Sequence, residues 1–391
     1  MKLVVLVLRR LFFSSQSNFL FKITNIVSIV SLALGIASLN IVLGAVEGFE
    51  SKVSEKLSYI NGYTTVNHLF EDDFVISESE FLPDFYNEYG NQLTPYIEKL
   101  GILKSQSNSS NVMIYGLRNK EFRDYNLFNR SNIKVKNINL NEVVIGSVLA
   151  ESLNLSIGDE VVLFNPLSSQ KLTGGNKFLL LEIREIYHSG IDEYDSRLIF
   201  MPIATVQSYF NKENMISGWI NFDNSLEIQN VDYPFYQLNL EDRHRDLFEW
   251  INTQQWPIIF IFSLIALVSY FNLMGSINIL FYEKRFNLAI MKTYGMSNRN
   301  LSLIFILQGV FLAFIGAILG VILALLFIFM QEKFHFISLA ENIYFVSYLP
   351  VIFSINNAIY TLLISILSSI LFSSISLKYL LSINPSKILK N

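Results

Sequence analysis

Four long apolar stretches punctuate an otherwise mixed sequence: 23–46, 256–281, 303–330 and 350–377. Roughly 20 residues at about 1.5 Å per residue cross a ~30 Å hydrocarbon core, so each stretch is long enough to span a bilayer as a helix. The first exceeds the ~7–15-residue apolar region of a cleaved signal, which favours an uncleaved anchor. It is partly polar, with Asn25, Ser28, Ser31, Ser38 and Asn40. Lipid offers such groups no partner, so they are expected to face other helices. Ser31/Gly35, Gly44/Gly48 and Gly316/Gly320 are small-xxx-small pairs that permit close helix approach. Asp, Glu, Lys and Arg are absent from all four stretches, which argues against a proton- or sodium-driven carrier.

Residues 47–255 have a different pattern. Strand-like runs occur at 63–66, 111–115, 143–145, 160–164, 178–186 and 196–201, several beside turn residues. Helical pieces are expected at 79–89, 146–154 and 203–210, and loops at 104–111 and 165–177. Residues 236–255 read as a polar helix running without a break into the second span, with Pro257 near its entry. The fold class that follows is a polytopic α-helical membrane protein: four transmembrane helices, with a large extracytoplasmic α+β domain between helices 1 and 2.

Between the second and third spans lies a charged link carrying Glu283, Lys284, Arg285, Lys292 and Arg299. Phe286, Ala289, Ile290 and Tyr294 recur there at helical spacing, which predicts a short separate helix with one apolar edge, lying at the membrane surface. Gly295 suits the left-handed residue that ends a helix, and Ser297 can cap the next one. The alternative is a plain basic loop obeying the positive-inside rule.

Charge sets the expected orientation. Residues 47–255 hold 17 Lys and Arg against 30 Asp and Glu, whereas 1–22, 283–300 and 378–391 together hold eleven Lys and Arg and one acid, Glu283. The basic segments are expected in the cytoplasm and the acidic domain outside. The division is then a cytoplasmic segment (1–22), span 1 (23–46), the outer domain (47–255) and span 2 (256–281). A coupling segment (282–302), span 3 (303–330), a short outer loop (331–349), span 4 (350–377) and a cytoplasmic tail (378–391) follow.

The 391 residues are 51% hydrophobic and only 16% charged, with mean hydropathy +0.39. There is no cysteine, so disulfides, thiolate metal sites and a cysteine nucleophile are excluded. The four histidines have no ligand spacing, so no metal site is expected. GxxxxGK[ST], HExxH and GxSxG are all missing, and no Ser/His/Asp set stands out, so no catalytic residue is assigned.

Several segments carry a likeness. The link and following span read EKR-x3-AI-x-KT-x-GMSNRN-x3-IF-x2-QG. With it go LGIASLNIVLGAVEGFE (34–50), TPYIEKLGIL (94–103), VVIGSVLAESLNLSIGDEVVLFNP (143–166), SGIDEYDSRLIFMPIATVQ (189–207) and INPSKILK (383–390). In this order they resemble the permease of the lipoprotein-releasing ABC transporter (LolC/LolE type), within the wider FtsX/MacB permease superfamily. The absence of an ATPase on the chain, the size of the outer domain and the Gln308-Gly309 pair fit that subgroup better than MacB-type or FtsX-type chains.

The resemblance implies a permease that pairs with a second copy or a paralogue and takes its energy from a separate ABC ATPase (LolD type). That partner would hold the ATP and Mg; no cofactor would bind this chain. It would extract lipoprotein cargo from a bacterial inner membrane and hand it to a periplasmic carrier (LolA type), with both termini cytoplasmic. Glu283, Lys284, Arg285, Phe286, Ala289, Ile290, Lys292, Thr293, Gly295 and Met296 would seat in the ATPase. Leu39, Ile41, Val42, Leu43, Ile259, Phe260 and Phe271 would face lipid or cargo. The 165–177 loop, with Pro166, Leu167, Lys171 and Leu172, lies where a relative recruits the carrier; here only the proline matches. The alternatives are FtsX-like signalling to an envelope hydrolase and MacB-like export of a peptide or toxin.

Overall fold

A computed structural model of the chain describes residues 19–75, 89, 92–106, 108–124, 138–166, 178–226, 228, 231 and 233–380. In chain order its elements begin with α1 (Phe19–Asn61), β1 (Thr64–His68), β2 (Phe74–Val75), β3 (Thr94–Lys104), β4 (Ser109–Leu117) and α2 (Asn119–Asp124). Next come β5 (Glu142–Gly146), α3 (Ser147–Leu153), β6 (Glu160–Phe164), β7 (Phe178–Tyr187), α4 (Asp192–Arg197), β8 (Leu198–Pro202) and α5 (Ile203–Tyr209). The rest are β9 (Met215–Ile216), β10 (Gly218–Asn221), β11 (Phe235–Asn239), α6 (Leu240–Arg243), α7 (Arg245–Thr293), α8 (Asn298–Phe334), α9 (Glu341–Tyr344) and α10 (Ile355–Leu380). Two compact units result: one runs to Glu50 and takes in Glu249–Ser338 and the chain from Leu349; the other is Ser51–Phe248 with Leu339–Tyr348.

Among the described residues, four helices, α1, α7, α8 and α10, are long and apolar enough to cross a membrane. Two exceed what the apolar pattern requires. α1 has 43 residues, about 64 Å, and α7 has 49, about 73 Å. α1 outlasts its apolar stretch because residues 47–61 contain no proline and good helix formers, with Lys52 and Glu55 paired at 2.6 Å one turn apart.

The membrane unit is held by close backbone approach and by polar groups turned inward. A side chain on Gly316 would lie 2.8 Å from Leu32 Cβ, and one on Gly320 would lie 2.7 Å from Ala33 O, so that pair seats on α1. Gly35 is similarly close to Ser269 Oγ of α7 (2.8 Å). Asn40 Nδ2 donates to Thr361 Oγ1 of α10 (3.0 Å), Ser276 Oγ to Asn25 Oδ1 (2.9 Å), and Ser269 Oγ to Ser31 O (2.7 Å). Asn25, Ser28 and Asn40 thus meet partners on neighbouring helices, while the Ser31 and Ser38 hydroxyls bond carbonyls of their own helix, so each polar group is satisfied as a solvent without hydrogen-bonding capacity demands.

Residues 236–255 and the start of the fourth span differ from the sequence reading. Residues 236–255 are not one helix: Phe235–Asn239 pair with β1, α6 makes a single turn, and α7 starts only at Arg245. Backbone pairing along β1 outweighs local helix propensity there. The fourth span starts at Ile355, because Pro350 cannot donate and Ile352 N instead bonds Gly44 O (3.0 Å). The expected helix at 79–89 falls, but for Tyr89, outside the described residues.

The other unit is an α+β domain on one nine-stranded sheet, ordered β11-β1-β10-β3-β4-β8-β5-β7-β6. The eleven-residue β3 also pairs with β6, so β3, β4, β8, β5, β7 and β6 close into a ring. β5 and β8 are buried at every position, which explains their continuous apolar runs; β6 and β7 largely alternate and keep one face exposed. The main core joins Ile97, Ile114, Ile145, Leu163, Ile183 and Ile199 to Leu149 and Leu153 of α3 and Val206 of α5. A second core around Val66, Phe74 and Trp219 lies under the β1–β10 branch. β3 was missed as a strand because Pro95 and Glu98 break its alternation.

One buried ion cluster pins that branch. Asp73 receives Lys99 Nζ at 2.5 Å, Lys212 Nζ at 3.2 Å and Ser217 Oγ at 2.8 Å. Burial alone would raise the Asp73 carboxyl, but Lys99, Ser217 and Lys212 together hold it below its ordinary value. Lys99→Met leaves this carboxylate only Lys212 and Ser217 and is expected to destabilise the outer unit by about 2 kcal/mol in a urea melt of the intact chain, whereas Lys52→Met in the half-exposed α1 pair should change it little.

Candidate functional site

The charged link is not a separate surface helix. Residues 282–293 continue α7 without a break, since no proline or glycine interrupts them and Glu283, Lys284 and Arg285 are good helix formers. The rod ends where Gly295 takes φ +89°, with Gly295 N bonded to Lys292 O (3.0 Å) and Met296 N to Met291 O (3.1 Å). Ser297 then caps α8, its side chain accepting from Asn300 N at 3.3 Å.

This tip has two faces. Leu288 is buried in one cluster with Leu280, Phe281, Leu301 and Phe305, Met296 packs against it, and the neighbouring Ala289 is buried too. Phe286, Ile290 and Tyr294, spaced one turn apart, are exposed at 55%, 37% and 88%. The apolar edge is therefore Phe286–Ile290–Tyr294. Ala289, expected on that edge, is only 4% exposed and belongs to the inner face. Lys284 lies 3.3 Å from Glu283, while Arg285 and Thr293 are exposed and Lys292 half-buried.

Of the residues expected to face lipid or cargo, Phe260 (64%) and Phe271 (54%) are open on α7. Leu39, Ile41, Val42, Leu43 and Ile259 are only half-exposed. Sequence reasoning missed the open apolar residues of α1 at Ile26, Val27, Val30 and Leu34, although the polar Ser28 and Asn40, which are buried, could have marked the covered side. The Gln308-Gly309 pair lies inside the bundle: Gly309 abuts Ser373 of α10 and Ile277 of α7, and Gln308 is buried.

In the outer unit, Pro166 lines a groove of about 720 Å³ with Leu100, Val112, Tyr194 and Arg197; Leu167, Lys171 and Leu172 lie outside the described residues. Beside it Asp195, fully buried, accepts from Ser189 N (2.9 Å) and Ser189 Oγ (2.6 Å). Burial raises its carboxyl pKa, with Ser189, His188 and Gly190 opposing. His188 Nδ1 lies 3.0 Å from Asp195 and 3.0 Å from Ser147 Oγ. A nucleophilic relay needs carboxylate and hydroxyl on opposite ring nitrogens. Here both meet Nδ1, so this Ser/His/Asp set is not built for acyl transfer.

Among the described residues, four spans, inward-turned polar groups, an α+β domain inserted after the first span and no catalytic constellation fit a polytopic membrane permease. The family model described as "MacB-like periplasmic core domain" matches residues 26–229, and "FtsX-like permease C-terminal" matches 259–385. The chain belongs to this family of ABC-transporter permeases, which joins a MacB-like periplasmic core to an FtsX-like C-terminal region. It is 26% identical over 386 residues to "Lipoprotein-releasing system transmembrane protein LolC" of Buchnera aphidicola subsp. Schizaphis graminum (strain Sg), covering 95% of this chain and 94% of that one. The protein of the same name from Neisseria meningitidis serogroup B is 23% identical, with 88% of each chain covered. "Lipoprotein-releasing system transmembrane protein LolE" of Haemophilus influenzae is 23% identical, with 83% of each covered.

The two faces of the α7 tip are separable by melting. Ala289→Arg forces a charge into the inner face and is expected to lower the melting temperature of the purified permease by several degrees. Phe286→Ser, on the open edge, should leave it unchanged; equal shifts for both would contradict the assignment.

Proposed function

We propose that the chain is the permease subunit that releases lipid-anchored proteins from a bacterial inner membrane to a soluble periplasmic carrier, driven by a separate ABC ATPase. What carries this reading is the open Phe286–Ile290–Tyr294 edge at the end of α7, a single rod of about 73 Å that is more than twice the ~30 Å hydrocarbon core. An apolar edge flanked by Lys284, Arg285 and Lys292 suits a groove on a soluble subunit better than lipid. An ATPase that grips it would move a helix, not a flexible loop. Relatives named for lipoprotein release align over most of the chain, which supports the cargo class.

In this reading the basic tip, the N-terminal segment and the tail are cytoplasmic, and the acidic domain is periplasmic. A second copy or a paralogue completes the permease. The ATPase supplies ATP-bound Mg and the hydrolytic chemistry. Phe260 and Phe271 offer acyl chains an apolar surface, and the region at Pro166 meets the carrier.

Depletion of the permease is expected to strand outer-membrane lipoproteins in the inner membrane; normal sorting would contradict the cargo assignment. In vesicles reconstituted with the ATPase, Phe286→Glu should abolish lipoprotein release while the permease inserts and melts normally. Undiminished release by that variant would remove the tip from the coupling path.

A further inference from the structure

α1 ends at Asn61 and α7 begins just after His244, and within the outer unit these two residues touch. Asn61 Nδ2 lies 2.9 Å from His244 Nε2 and donates to the Tyr194 hydroxyl at 2.5 Å; that hydroxyl lies 3.3 Å from the same His244 nitrogen. His244 also starts α7 with its backbone, its carbonyl accepting from Leu247 N (3.0 Å) and Phe248 N (3.1 Å). Tyr194 belongs to α4, so three separate elements meet on one polar triangle.

We infer that Asn61, Tyr194 and His244 form a clamp that fixes the end of α1 against the start of α7, with Tyr194 as the positioning residue that makes the two helix ends move as one piece. The rest of the neighbourhood does not need the triangle. Gly62, at φ +68°, ends α1 by itself, and β1 and β11 are already joined from Thr64↔Asn239 to His68↔Phe235. Arg243 Nη2 bonds Thr65 Oγ1 (3.0 Å), again without it. Partly buried polar groups add little net stability over an apolar contact, but they fix geometry because only one arrangement satisfies them. The transport reading gives the clamp its consequence; its geometry stands without that reading.

The chemistry makes the clamp sensitive to acid. Nε2 must be unprotonated to accept from Asn61. Burial, and then Arg243, lower the His244 pKa to about 4, so the ring is neutral at ordinary pH. The charged and titratable groups around it are Arg243 on its own segment and Tyr194 from α4, whose hydroxyl is held protonated by burial, with Glu193 and Glu98 beyond. Burial alone would lower Arg243, but Tyr115, Tyr96 and Glu98 hold its proton, so it stays a cation. Because the folded-state pKa lies below the unfolded value of ~6.5, the contact is intact above that value and is lost as pH falls toward 4.

The chain has no cysteine, so spin labels can be placed on Ser51→Cys and Asp246→Cys in the intact permease, both at exposed positions. One narrow distance peak is expected at neutral pH. Tyr194→Phe and Asn61→Leu should each lose it, whereas His244→Gln, which keeps an acceptor, should retain it. The unsubstituted clamp should lose its peak between pH ~6.5 and about 4, and His244→Gln should not. A narrow peak in Tyr194→Phe, or one that ignores pH when the clamp is intact, would overturn the inference. Should a variant fail to fold, the pH series alone decides. A responsive peak in a permease that releases no lipoprotein would reject the transport reading and leave the clamp standing.

Discussion

The continuity of α7 as one helix, from Arg245 past the single missing donor at Pro257 to Thr293, is the constraint on which the rest of this account depends. A helix crossing a hydrocarbon layer satisfies its backbone groups within itself; Pro257 removes one donor near the start of the span, and beyond it no proline in residues 258–293 stops the helix at the far edge of that layer. One element therefore carries the clamp at His244, the open faces at Phe260 and Phe271, and the exposed edge at Phe286.

The membrane unit answers the same constraint from the side. With no hydrophobic gain from burying leucine against leucine rather than lipid, association rests on close approach and on paired polar groups. Gly316 and Gly320 supply the first against α1; Asn40 with Thr361 and Asn25 with Ser276 supply the second. No charge is needed in the spans for this, which fits a permease whose energy enters from outside the bilayer rather than through an ion pathway.

Much of this was legible in the sequence, for identifiable reasons. Apolar runs of more than twenty residues have almost no alternative reading, and strands such as Glu160–Phe164 declared themselves by alternation. Gly295 and Ser297 were readable as helix punctuation because each has a local mechanism. What failed was whatever depended on a distant partner. Phe235–Asn239 is a strand only because Thr64–His68 lies beside it, and β3 pairs with three different strands, none evident from its own residues. Ala289 and Phe286 look equivalent in a periodic pattern; only their burial in the folded bundle distinguishes them. The clamp was invisible because Asn61, Tyr194 and His244 are far apart in the chain and carry no motif.

Amide hydrogen exchange across residues 278–293 of the intact permease tests the central claim most directly. Protection that continues without a gap from Asn278 through the last turn before Gly295 is what a single rod predicts. A fast-exchanging break at 281–285 followed by a separately protected segment would mean a hinged surface helix, and would contradict it.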